Sequence, residues 1–198
     1  KYAKQPFEEN QILNGMVEET NEGYAISKIL GIKYIQLLNK QHGCSHIGII
    51  PTASYGPNDC YDENKNHVIP ALIKKIHNAK MKKKNSITLW GTGKAKREFI
   101  HVDDMASGII HILENYSENS PINLGTGEEV TIAKLSKTIS KIIGYTGSIN
   151  FDIKKPDGIK RKILSNEKLE KLKWKSRISL EKGLELAYLD YQNYLKKS

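Results

Sequence analysis

An α/β fold, with strands and helices alternating along the chain, is what this sequence predicts. Short apolar runs at 46–50, 87–90, 121–124 and 148–151 are separated by longer stretches with helical spacing of apolar residues. Gly and Pro clusters punctuate the joins. The 198 residues, 38% of them hydrophobic, suffice for a sizeable core. No apolar run approaches the roughly 20 residues of a membrane span.

Taken in order, residues 23–42 read as a helix with Ile29, Leu30, Lys33, Tyr34 and Leu37 on one mixed face. A strand at 46–50 is stopped by Pro51, and a turn-forming loop with Gly56, Pro57, Asn58 and Asp59 follows. The next helix, 67–82, tolerates Pro70 in its first turn. A strand at 87–90 turns at Gly91-Thr92-Gly93, and 99–102 forms a brief strand. Asp103 stands as the N-cap of a helix to about 115. Then come a strand at 121–124, a helix over 131–143 and a strand at 148–151. An amphipathic helix over 179–196, opened by Ser179, ends the chain. Glu181 suits its dipole, and Lys182 at the third position excludes a capping box. Internal repeats and low-complexity stretches are absent from the sequence.

The formal charge of +9 invites a nucleic-acid reading. Composition argues against it: 28 of the 31 basic residues are lysine. Arginine supplies the fork that matches phosphates and base edges, and only three are present. A lysine-heavy solvated surface is the better account, without nucleic-acid or membrane partners. Cys44 and Cys60 are too few for a disulfide scaffold or a metal site, which fits a reduced cytoplasmic setting.

Five features carry possible chemistry. Tyr24 and Lys28, four apart on the first helix, project from one face. A phenol alone is a poor acid at neutral pH, and an adjacent ammonium favours its phenolate. The spacing by itself equally fits an aromatic and a lysine on a solvated face. The turn at 51–57 follows a strand, where α/β folds collect ligands, or is an ordinary surface turn. Arg97, inside the run Trp90 to Asp104, has the geometry to grip a diphosphate bidentately. His67 opens a helix as either a general acid or a structural residue. Gly125-Thr126-Gly127 reads as a turn rather than a dinucleotide fingerprint.

Together, TNEGYAISK, IIPTASYGPND, NHVIPALIKKIH, LWGTGKAKREFIHVDDMA, INLGTGEEVTI and KPDGIKRK resemble the extended short-chain dehydrogenase/reductase family. The NHVIPAL segment, and KPDG followed by RK, are similar to its GDP-L-fucose synthase branch. The resemblance covers nearly the whole chain. It implies the C-terminal part of a Rossmann-like doubly wound sheet plus a smaller α/β substrate domain. Residues 1–57 and 98–125 would belong to the NADP-binding part, and 58–97 and 126–198 mainly to the GDP-sugar part.

The resemblance also implies roles. Tyr24 donates a proton as a C4 ketone is reduced, and Lys28 binds the nicotinamide ribose and activates the phenol. Pro51, Thr52, Ala53 and Ser54 match the loop beside the nicotinamide of NADPH, with Ala53 in place of a commonly polar residue. His67 matches the acid of epimerisation at C3 and C5 and lies near the cofactor. Lys75, Trp90, Arg97 and Asp157 match positions holding GDP, with Lys162 a further basic position there. Homodimerisation through the Tyr24 helix is implied as well. The family's glycine-rich fingerprint and its Ser-x-Cys strand have no counterpart in these residues. The sequence is therefore expected to be part of a longer enzyme, inactive alone, with about a hundred residues before Lys1. Another sugar-nucleotide epimerase or dehydratase, or a non-catalytic nucleotide-sugar-binding module, remain as alternatives.

Overall fold

Phe99 and Ile100, consecutive residues of one strand, face opposite ways and join two different hydrophobic cores. The computed structural model describes residues 3–62 and 65–197. That strand, β4 (Lys96–His101), is the shared element of the fold. Before it come α1 (Glu22–His42), β1 (Ile49–Pro51), β2 (Ala53–Tyr55), α2 (Val68–Met81) and β3 (Ser86–Trp90). After it come α3 (Val102–Asn115), β5 (Ile122–Leu124), β6 (Glu129–Thr131), α4 (Ile132–Ile143) and β7 (Ser148–Asp152). The chain ends with β8 (Arg161–Lys162), α5 (Glu167–Lys171) and α6 (Leu180–Lys197).

Pairing is mostly parallel, as a Rossmann-like α/β arrangement requires. Strand β1 pairs with β5, β2 with β4, and β3 with β7, all in parallel. The N-terminal half of β4 also takes β6 antiparallel and β8 parallel. Helix periodicity builds the larger core: Ile69, Ile73 and Ile76 from α2 meet Leu135, Ile139 and Ile143 from α4. Tyr191 of α6 closes it. The smaller core gathers Ile100, Ile112, Ile122, Leu124, Leu169 and Trp174.

Several elements differ from the sequence reading. The first strand does stop at Pro51, which is itself the last residue of β1, in register with Leu124. Thr52 N–H bonds to Leu124 O, so the proline nitrogen faces away from β5 and the missing donor costs no ladder bond. Residues 46–48 lie outside the strand, and the expected turn at 53–55 is instead β2. The N-cap of α3 is His101, not Asp103: its Nδ1 accepts from the Asp103 N–H at 3.3 Å. Ser179 does accept from the Lys182 N–H at the start of α6, at 3.3 Å. Strands β6 and β8 and helix α5 were not anticipated; none carries an apolar run of its own.

Two outcomes follow from the packing. Leu135→Ala empties a fully buried position between α4 and its neighbours and should cost about 2–5 kcal/mol, read by chemical denaturation. His77, 3.1 Å from the Tyr188 hydroxyl, docks α2 to α6. Burial, then the Lys80 ammonium, hold its imidazole below the ordinary value of 6.5. The neutral ring is the one the fold favours, so this contribution is complete above 6.5 and fades as pH falls below it. Wild type should therefore lose more thermal stability than His77→Gln between pH 8 and pH 5.5; equal losses would contradict this.

Candidate active site

Helix α1 delivers Tyr24 and Lys28 one turn apart, and the Lys28 Nζ stands 5.4 Å from the centre of the Tyr24 ring. Tyr24 is 61% exposed and opens into a cleft of about 590 Å³. Pro51, Thr52, Asn123 and Lys162 also line this cleft. It runs along β1 and past the carboxyl end of that strand at Thr52, the end at which open α/β sheets bind ligands. Thr52 is fixed by its hydroxyl, which donates to Glu98 O at 3.1 Å. Asn123 is fixed by donation from Nδ2 to Phe7 O and Ser165 O.

A second set of expected residues gathers around the β4–β8 pairing. Arg97 and Lys162 are partners in the β4–β8 register. Arg97 Nη1 donates to Ile159 O at 2.6 Å and Lys96 O at 2.8 Å. Crowding by surrounding protein lowers the guanidinium's affinity for its proton, and Asp157 works in the opposite sense. Crowding and then Arg97 push the Lys162 ammonium down as well. Asp157 accepts from the Thr92 hydroxyl at 2.6 Å and the Thr92 N–H at 2.8 Å. Those two bonds hold its carboxyl below the ordinary range, with help from Arg97 and Lys94. Trp90 is 73% exposed, and the Lys155 Nζ lies 5.5 Å over its ring.

Lys75 donates to Thr88 O at 2.7 Å along the free side of β3. Beside it, Trp90 and four lysines, Lys74, Lys75, Lys82 and Lys84, line a groove of about 870 Å³ that has no carboxylate among its described lining residues. The fold thus joins Tyr24, Lys28, Pro51, Thr52 and Lys162 in one cleft and links Arg97, Asp157 and Trp90 through the 153–160 loop. Ala53 and Ser54 run on into β2, outside the cleft lining. His67 is the exposed N-cap residue of α2, also outside it. A further cavity of about 420 Å³, between β6, α4 and the start of α6, holds none of the expected residues.

Sequence reasoning missed Asn123, Lys155 and Glu98. Only Glu98 left a signal: a charged residue at the inward position of an alternating strand, beside Phe99 and Ile100. Among the described residues, no group of three or more His, Cys, Asp or Glu could hold a metal ion. None of the helices there is long and apolar enough to cross a membrane.

The pattern of the NAD dependent epimerase/dehydratase family matches residues 1–125. The chain belongs to this family. Among its relatives is the GDP-L-fucose synthase of Sinorhizobium fredii, 44% identical over 95% of this chain and 60% of that protein. That of Escherichia coli is 45% identical over 95% of this chain and 61% of its own length. A solved GDP-L-fucose synthetase from Naegleria fowleri, bound to NADP, superposes with a TM-score of 0.89 at 26% identity. It covers all of this chain, which in turn covers 64% of it. The chain spans about three fifths of the length of the curated relatives it matches. In this epimerase-family chain, Asp157→Ala should free the 153–160 loop. The check is faster amide exchange at 153–160 with a change in Trp90 fluorescence; unaltered exchange would show that Thr92 is not what holds the loop.

Proposed function

We propose that this chain forms the proton-donating and nucleotide-sugar-binding part of an NADPH-dependent epimerase-reductase that converts GDP-4-keto-6-deoxy-D-mannose to GDP-L-fucose. The observation that carries the reading is the Tyr24–Lys28 pair opening into a cleft that also holds Lys162, the neighbour of Arg97. The cleft fits the nicotinamide-ribose end of the cofactor: an ammonium for ribose hydroxyls, with Pro51 and Thr52 as a wall. NADPH, when bound, supplies the hydride for C4.

Tyr24 gives its phenol proton to the C4 oxygen, so the ketone becomes an alcohol. Lys28 stabilises the phenolate left behind until solvent returns a proton. Arg97 and Lys162 face the diphosphate, Trp90 offers a flat apolar plate, Lys75 a further cation, and Asp157 a carboxylate for ribose hydroxyls. Ala53 and Ser54 continue the cofactor loop through their backbone. His67 serves as the acid at C3 and C5, whose protons the C4 ketone acidifies before reduction removes it. A homodimer through α1 buries Leu30, Tyr34 and Leu37, each more than half exposed in the single chain. A reductase without the epimerase step is the second reading, favoured by the position of His67 outside the cleft lining.

The test uses protein expressed from the complete gene, incubated with GDP-4-keto-6-deoxymannose and NADPH. GDP-L-fucose should form, and Tyr24→Phe should lower kcat by about 10²–10⁴-fold. Full activity in Tyr24→Phe, or no consumption of NADPH by wild type, would overturn the proposal. A C3/C5-unaltered product would select the second reading.

A further inference from the structure

Strand alternation turns Arg97 toward the 153–160 loop and Glu98 inward, where it is 1% exposed. An interior carboxyl group is costly unless each oxygen finds a donor. Here both do: Oε1 accepts from the Gly127 N–H at 2.7 Å, and Oε2 from the Leu164 N–H at 3.0 Å. The donors belong to segments remote in sequence, the turn after β5 and the stretch just past β8. The glycines of that turn are shaped to receive the carboxyl. A Cβ at Gly125 would collide with Glu98 Oε1, and Gly127 has φ of 76°.

Strand β8 has two residues, paired with β4 at Lys96–Arg161 and Arg97–Lys162. So short a ladder leans on its flanks, where the Lys96 N–H bonds Lys160 O and Phe7 bonds Ile163 O and the Ser165 N–H, and a one-residue slip would turn Lys162 to the opposite face. Leu164, two residues on, is pinned by Glu98. From this geometry we infer that Glu98 is a positioning residue: its buried carboxyl supplies the side-chain link from the centre of β4 to the end of β8, and so helps hold Lys162 facing the cleft beside Tyr24 and Lys28. The third link, Thr52 to Glu98, uses the main-chain oxygen and does not depend on the side chain.

The inference rests on the proposed GDP-sugar reading, and its test keeps the two apart. Glu98→Gln replaces one acceptor oxygen with an amide that faces an N–H. By calorimetric titration, its Kd for GDP should rise about tenfold, as expected when one charge-assisted contact, Lys162 to phosphate, is no longer presented. The Kd for NADPH should stay within about twofold, because Thr52 keeps its main-chain partner. In a Lys162→Ala background, Glu98→Gln should weaken GDP no further. Equal losses for GDP and NADPH, or full additivity with Lys162→Ala, would mean that Glu98 only supports the fold, and the inference falls. Gly125→Ala, which displaces the same carboxyl oxygen, gives the identical comparison should Glu98→Gln fail to fold. Wild type that binds no GDP sinks the substrate reading instead.

Discussion

Strand β4 is the constraint on which the rest depends. Its alternation divides the interior, with Phe99 packed on one core and Ile100, wholly buried, in the other. Its neighbours change halfway along: β6 and β8 flank the first half, β2 the second. The Tyr24 cleft and the Arg97 side are connected through β8, whose Lys162 lines the first and pairs with Arg97 in the second.

Electrostatics along this junction are arranged in relays rather than isolated pairs. Arg97 sits beside Lys162, and burial first, then this pairing of like charges, lowers the ammonium's proton affinity. Asp157 offsets it from the loop, although its oxygens are already engaged by Thr92. From β6, Glu129 bridges Lys96 and Arg161 at 2.5 Å each, so the same short strand is tied at its other end as well. A site carrying surplus positive charge suits an anionic ligand and is less comfortable without one.

The longer helices were legible because their apolar spacing repeats over several turns: Ile69, Ile73 and Ile76, or Leu135, Ile139 and Ile143, leave little choice of face. Short strands with an apolar run, such as 86–90, 122–124 and 148–152, were legible as well, and those without one were not. Residues 53–55, 129–131 and 161–162 become strands through the partner they meet, and Arg161-Lys162 has no β character of its own. Reading Asp103 as a cap failed because His101, two residues earlier, offered its ring nitrogen to the same end of the helix. The Tyr24–Lys28 proximity was readable since helix geometry alone enforces it. Asn123 and Lys155 were not, because each acquires its place from segments distant in sequence.

Helix α1 contains no fully buried residue among its 21. Tyr24 and Lys28 thus ride on an element attached to the rest mainly by half-covered side chains. Their mutual spacing is internal to the coil of backbone, so rocking of the helix carries both together, like two teeth on one rigid rod. Such motion alters only their reach into the cleft, leaving the amine-to-ring separation untouched; tightening the rod against its surroundings would change that reach without changing the pair.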